Sequence, residues 1–157
     1  MPRSDAVERF AAAARASGLA VEVQRFPEGT RTAQDAADAV GCVVDQIVKS
    51  MVLIVDDRPV LVLCSGSRRV DLDAVARQLT AGAARMASAE EAREATGFAI
   101  GGTPPLGHPD DLETLIDPHL LEYETVYAAA GTPDSVFAVA ARGLADATGA
   151  AAAAVTA

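Results

Sequence analysis

Lys49 is the single lysine of the chain, against 12 arginines, and it stands inside the apolar run Ile47 to Val55. An ammonium between Val48 and Met51 either leaves the edge of a sheet for solvent or points into a polar pocket, because burying it unpaired costs on the order of several kcal/mol. The structural alternative is an edge-strand lysine that deters aggregation. The chemical alternative is a compact ammonium kept at one place in a chain that otherwise uses arginine. The pattern leaves both open.

A second candidate is the loop Gly101-Gly102-Thr103-Pro104-Pro105-Leu106-Gly107-His108-Pro109, with six Gly or Pro in nine residues. Glycine permits positive φ and close approach of a ligand, while consecutive prolines stiffen the chain, so N–H groups of Gly101 and Gly102 can stay aimed at an oxyanion or carboxylate. Thr103, Pro104, Pro105, Gly107 and His108 would then wall a cradle, unless the segment is only a rigid turn. It is neither a P-loop nor a dinucleotide fingerprint, since Gly-x4-Gly-Lys and Gly-x-Gly-x-x-Gly are absent. Ser65-Gly66 and Ala130-Gly131 each close an apolar run, where small residues either line a shared cleft or simply turn the chain.

Other side chains exclude more than they offer. His108 and His119 are the only histidines, which argues against a histidine metal site and against a Ser-His-Asp triad. His108 is expected near a ligand, and His119, after Asp117-Pro118, at the surface or as a capping residue. Asp110, Asp111 and Glu113 read as a solvated face. Cys42 and Cys64 have no partner at ligand spacing and are expected to be buried, reduced thiols. Neither a metal nor a cofactor is expected.

The elements that must hold these residues follow from periodicity. With 157 residues, 50% hydrophobic and 22% charged, the chain fits one domain spanning 1–157 and excludes chain-wide disorder; at 4% aromatic with no tryptophan, its core must be aliphatic. Helical spacing with Ser4 as cap predicts a helix over 5–17, alternation a strand over 20–26 before a turn at Pro27-Glu28-Gly29, and Thr32 to Gly41 bracket a second helix. Ile47 to Val55 and Val60 to Ser65, separated by Asp56-Asp57-Arg58-Pro59, read as a hairpin at the centre of a sheet. Asp71 opens a helix to Leu79, 83–87 is a short strand, and Ser88 with Glu91 forms a capping box for a helix ending at Gly97. Pro118 starts a helical turn, Thr125 to Ala130 and Ser135 to Val139 are strands, 142–148 is a last helix, and 150–157 is a frayed tail. Irregular mixing of helices and hairpins predicts an α+β fold with a mixed, curved, barrel-like sheet.

The net charge of −9 argues against DNA and anionic membranes as partners. Its distribution is uneven: 58–93 carries six arginines against four acids, whereas 110–124 carries six acids and no lysine or arginine. One face can therefore still meet a phosphate backbone. No apolar leader or membrane-length run is present, so a cytoplasmic location is expected.

Three segments in order, Gln46 to Val52 around Lys49, Gly97 to His108, and Val126 to Gly131, resemble the YbaK/EbsC family, the prolyl-tRNA synthetase-associated editing domain and its free-standing relatives. The resemblance implies a mixed sheet with flanking helices and hydrolysis of mischarged aminoacyl-tRNA. It places the family's essential lysine at Lys49 and the Gly-x-x-Pro turn that shapes its aminoacyl pocket at Gly102 to Pro105. Members that hydrolyse Cys-tRNA(Pro) carry Tyr near Phe26 and Asp near Val136. This chain has neither, which leaves alanine, serine, threonine or another noncognate amino acid open, with Phe26 still a candidate substrate contact. The expected partner is the 3′ end of aminoacyl-tRNA, with a synthetase as a second partner and a monomer or homodimer as the working form. Two other readings are a non-catalytic module that binds aminoacyl-tRNA or a synthetase, and a hydrolase of small esters or amides.

Overall fold

Two runs rich in Val, Leu and Ile make the centre of the molecule because both faces of each are covered, which is what continuous rather than alternating hydrophobicity encodes. In the computed structural model, which describes residues 3–26, 32–99, 101–109 and 112–156, these runs are β2 (Ile47–Val55) and β3 (Arg58–Ser65), paired antiparallel from Val48 opposite Ser65 to Val55 opposite Arg58. The expected turn at Pro27-Glu28-Gly29 and the acids Asp110 and Asp111 lie outside the described residues. The hairpin turn is shorter than expected. Only Asp56 and Asp57, at φ 47° and 68°, form it, because a two-residue turn with both φ positive matches the twist of the strands, and Arg58 and Pro59 join β3. The Asp56 carboxylate also accepts the N–H groups of Gly82 and Ala83 at 3.0–3.1 Å and so anchors the next strand.

The remaining elements are α1 (Arg3–Ala16), β1 (Val23–Arg25), α2 (Ala33–Val40), α3 (Leu72–Gln78), β4 (Ala84–Met86), α4 (Ala89–Thr96), β5 (Glu113–Ile116), β6 (Thr125–Ala129), β7 (Ser135–Ala140), α5 (Ala141–Thr148) and β8 (Ala151–Ala152). The sheet runs β1-β7-β6-β2-β3-β5-β8, with β4 also on β2; β2/β6, β3/β5 and β5/β8 are parallel and the other pairs antiparallel. The fold is α+β with a mixed sheet, as the sequence predicts. Local chemistry sets the helix ends: Thr32 with Asp35 and Ser88 with Glu91 are capping boxes, and Gly41 and Gly97 stop their helices in the left-handed conformation. Ser4 lies inside α1 rather than at its cap.

Alternation sends the two faces of the hairpin to different clusters. Val48, Val52, Leu61 and Leu63 join the larger core with Phe10, Phe98 and Phe137, whereas Leu53, Val55, Val60 and Val62 pack with Val75, Leu115 and Val155. Val155 corrects the expected frayed tail. It is fully buried, Asp71 N–H donates to its carbonyl at 2.8 Å, and β8 pairs parallel with β5. An alanine-rich segment carries no strand periodicity, and its place is fixed by a strand far away in sequence.

One interruption in the pairing positions the candidate site. On the side of β2 away from β3, pairing with β6 covers only Ile47 and Val48, and pairing with β4 begins at Leu53. Between them, among the described residues, only Ala87 N–H reaches this edge, at the Val52 carbonyl, 3.0 Å away.

Candidate active site

A cavity of about 320 Å³ opens at that interruption. Its walls come from the open stretch of β2 (Val48, Lys49, Ser50, Met51), the start of α2 (Thr32, Ala33, Ala36), the segment after β4 (Met86, Ala87), the end of β6 (Tyr127 to Ala129), β7 (Ser135, Val136), and Gly101 and Thr103. The volume sits at the small end of ligand pockets, which suits one small group rather than a large ligand.

Lys49 lies on this wall, in the stretch of β2 that has β3 on one side and no strand on the other, rather than on an outer strand of the sheet. Its ammonium donates to the carbonyl of Arg68 in the turn after β3. Opposite Lys49 across the hairpin stands Cys64, whose thiol donates to the same carbonyl at 3.5 Å. Burial pushes the Cys64 thiol up to about 11, so it is neutral at physiological pH and no thiolate nucleophile. Cys64 is buried as expected; Cys42 is only half-buried.

The glycine loop contributes less of its length than the sequence suggests. Gly101, at φ 89°, and Thr103 reach the cavity. Gly102 N–H is used within the loop, donating to the Ala99 carbonyl at 3.1 Å, and a Cβ on Gly102 would meet the Thr132 Cα at 2.7 Å. The expected paired cradle is thus reduced to Gly101, because Gly102 is pressed against the backbone behind it. Pro104 and Pro105 are buried and, with Gly107, form no part of the cavity wall; a Cβ on Gly107 would touch Ala13 at 3.4 Å. His108 also departs from expectation. Its Nε2 donates to the Pro104 carbonyl at 2.9 Å, its ring meets Phe98 edge-on, and burial pushes its pKa down, so a neutral imidazole braces the loop.

The other sequence candidates stand behind or beside the cavity. Ser65 is buried, with its hydroxyl donating to the Asp45 carbonyl at 2.8 Å, and Gly66 is required because a Cβ would lie 2.4 Å from the Val44 carbonyl oxygen. Ala130 is buried in the core, and Gly131, at φ 116°, lets the chain pass α1, where a Cβ would come 2.7 Å from the Ala6 carbonyl oxygen. Phe26 N–H donates to the Asp134 carbonyl at 2.7 Å, and Phe26 is not among the lining residues.

His119 is neither a free surface residue nor a cap. Its Nε2 lies 2.6 Å from Asp45 and its Nδ1 2.5 Å from Glu122, so both nitrogens face carboxylates and its pKa is raised by hydrogen bonding to Asp45 first and Glu122 second. It ties the 3-10 turn Val44–Gln46 to the 3-10 turn Pro118–Glu122. The cap of the second turn is Asp117, nearly fully buried, whose carboxylate accepts the N–H groups of His119 at 3.0 Å and Ser65 at 3.2 Å. Glu113 is exposed, as expected of a solvated face, and from the start of β5 it pairs with Arg58.

Sequence reasoning missed Ser50 and the walls from α2, β4 and β7. Ser50 had a signal, being the polar residue at the core-facing phase of Val48 and Val52. Among the described residues no carboxylate, imidazole or thiol lines the cavity. Among them, too, no group of His, Cys, Asp and Glu could hold a metal ion, and no helix is long and apolar enough to cross a membrane.

The profile of the aminoacyl-tRNA editing domain family matches residues 27–147. The uncharacterized protein YwhH of Bacillus subtilis is 32% identical over 115 residues, 73% of each chain. A proline–tRNA ligase of Limosilactobacillus fermentum is 34% identical over 97 residues, 59% of this chain but 17% of the ligase, so the likeness is to one segment of a much longer protein. Among solved structures, a protein proposed to be a trans-editing enzyme for prolyl tRNA synthetase superposes with a TM-score of 0.92 at 41% identity, covering 97% of both chains. The hypothetical protein APE2540 superposes with a TM-score of 0.87 at 27% identity over 95% of this chain and 99% of that one. The chain belongs to the aminoacyl-tRNA editing domain family, as its lysine strand and glycine loop suggested.

Proposed function

We propose that this protein is a trans-editing deacylase that hydrolyses the ester of mischarged tRNA, with tRNA(Pro)-type substrates the first to try. The observation that carries the reading is that Lys49 and Gly101, far apart in sequence, line one small cavity. An aminoacyl ester is already activated, so the protein's task is to position it and to stabilise the oxyanion of the tetrahedral intermediate rather than to supply a strong base. A cavity without carboxylate or imidazole suits that division of labour.

In this mechanism the Lys49 ammonium, held by the Arg68 carbonyl, turns its other N–H groups to the ester or terminal ribose oxygens. Gly101 N–H faces the carbonyl oxygen. Water, deprotonated with help from the neighbouring ribose hydroxyl, adds to the acyl carbon. The carbon–oxygen bond to the ribose then breaks, the ribose oxygen takes the proton, and free amino acid and tRNA leave. Residues of the cavity wall touch only this end of the substrate, and aminoacyl-tRNA is the proposed partner.

The test measures amino acid release from a panel of mischarged tRNAs and from minimal aminoacyl-adenosines. Release from charged tRNA that is lost in Lys49→Ala supports the deacylase. Equal release from unrelated small esters would replace it with a general esterase. The missing base and the net charge of −9 favour one second reading, a module that binds aminoacyl-tRNA or a synthetase without hydrolysis; binding without release would establish it.

A further inference from the structure

The interruption in the sheet suggests how the amino acid itself is read. Among the described residues, about 13 Å of β2 edge lacks a strand at ~3.3 Å per residue, between Val48, the last partner of β6, and Val52, where Ala87 N–H arrives. Strand alternation turns the N–H and C=O of even-numbered residues toward this edge, since the Ile47 carbonyl is taken from the opposite side by Gly66 N–H. The middle even-numbered residue is Ser50. Among the described residues no strand register on that side includes it, and its Oγ is the one buried side-chain nitrogen or oxygen there without a hydrogen-bond partner. An unpaired buried hydroxyl is unfavourable, and one in a cavity wall points to a ligand that completes it.

We propose that the aminoacyl group docks as a one-residue strand on the open edge of β2, opposite Ser50, and that the Ser50 hydroxyl selects aminoacyl esters whose short side chain carries a hydroxyl. A residue paired with Ser50 sets its side chain on the same face of the sheet, within reach of a cross-strand hydroxyl pair. The surroundings on that face, Val48, Val52, Ala92 and Ala128, are apolar and admit a neutral hydroxyl far more readily than an ammonium. The Oγ has no existing bond to break, so one staggered rotation presents it to the ligand. Ser50 is not the nucleophile, because among the described residues no base is hydrogen-bonded to its oxygen. This inference rests on the deacylase reading for the kind of ester offered, and its test is kept apart from hydrolysis.

The experiment titrates wild type, Ser50→Ala and Ser50→Thr with non-hydrolysable 3′-amide analogues of seryl-adenosine and alanyl-adenosine, and separately measures release from seryl- and alanyl-tRNA. Wild type is expected to bind the seryl analogue at least about tenfold tighter than the alanyl one; the ratio falls to near one in Ser50→Ala and returns in Ser50→Thr. A wild-type ratio near one, or a ratio that survives Ser50→Ala, overturns the inference. A ratio that behaves as expected in a protein that releases no amino acid supports the role of Ser50 while removing the deacylase.

Discussion

The Lys49 ammonium and the Arg68 backbone carbonyl are joined by a hydrogen bond that crosses from β2 to the turn after β3. The lysine is therefore held from behind by a main-chain group, and the turn beginning at Gly66 sets where its charge sits. Gly66 is needed there because the Val44 carbonyl leaves no room for a side chain. In the proposed deacylation, a charge fixed in this way would cost little reorganisation as the ester carbonyl becomes an oxyanion.

Lys49→Ala is expected to lower kcat/KM for deacylation by about tenfold to a thousandfold while the protein still folds. Lys49→Arg is expected not to restore it, since a planar guanidinium on a longer stem does not place a point charge at the same spot. Release assays with circular dichroism as a fold control decide this, and near wild-type turnover in Lys49→Ala would reject the assignment.

Gly101 and Gly102 should respond in opposite ways to one added methyl. At Gly101 the nearest obstacle is Pro133 at 3.8 Å, so Gly101→Ala costs mainly the positive φ, about 1 kcal/mol, and changes the cavity wall. Gly102→Ala drives a Cβ to within 2.7 Å of Thr132 and is expected to lower stability by about 1–3 kcal/mol through backbone displacement. Thermal melting beside substrate profiling separates the two; a stable Gly102→Ala protein with an altered substrate profile would contradict this assignment.

These glycines also mark how far the sequence could be read. The strand Ile47 to Val55, the cap at Thr32, the capping box of Ser88 with Glu91 and the stops at Gly41 and Gly97 are encoded within a few residues, and they stand where the sequence puts them. Lys49 was legible because an ammonium in an apolar strand demands a reason. The cavity's other walls were not, because the gap exists only where β6 leaves β2 after Val48 and β4 joins at Leu53, and no local pattern states which strands become neighbours. His108 was misjudged for a related reason: a Gly-Pro loop can fold a ring back on its own carbonyl as easily as present it outward.

His119 makes stability depend on pH with a definite sign. With both ring nitrogens against carboxylates it must donate twice, so the imidazolium is the bonded form, and Arg68 nearby opposes it only weakly. A raised folded pKa means the stabilisation is complete below the ordinary histidine value and is lost as pH rises through the folded value. The Asp45 pKa, lowered chiefly by its hydrogen bond to His119, sets the acid limit, where stability is lost as pH falls through it. The melting difference between wild type and His119→Gln should be larger at pH 5.5 than at pH 8.5, and a difference that grows toward alkaline pH would refute the clamp.

Val155 ties the end of the chain into the second core cluster, so the last residues stabilise the sheet beneath the site. Its side chain is fully buried against residues that include Val60, Val62 and Val75, and its carbonyl receives the N–H of Asp71, the cap of α3. Val155→Ala removes two buried methyl groups and should cost about 1–3 kcal/mol, or roughly 3–10 °C in Tm for a domain of this length. Because β3 shares this cluster and its pairing with β2 sets the position of Lys49, deletion of 150–157 should lower both Tm and deacylation. Val155→Ala should lower Tm alone, since it leaves β8 paired with β5. A truncated protein that melts like wild type would show that the tail is dispensable and that the burial of Val155 contributes nothing to the fold.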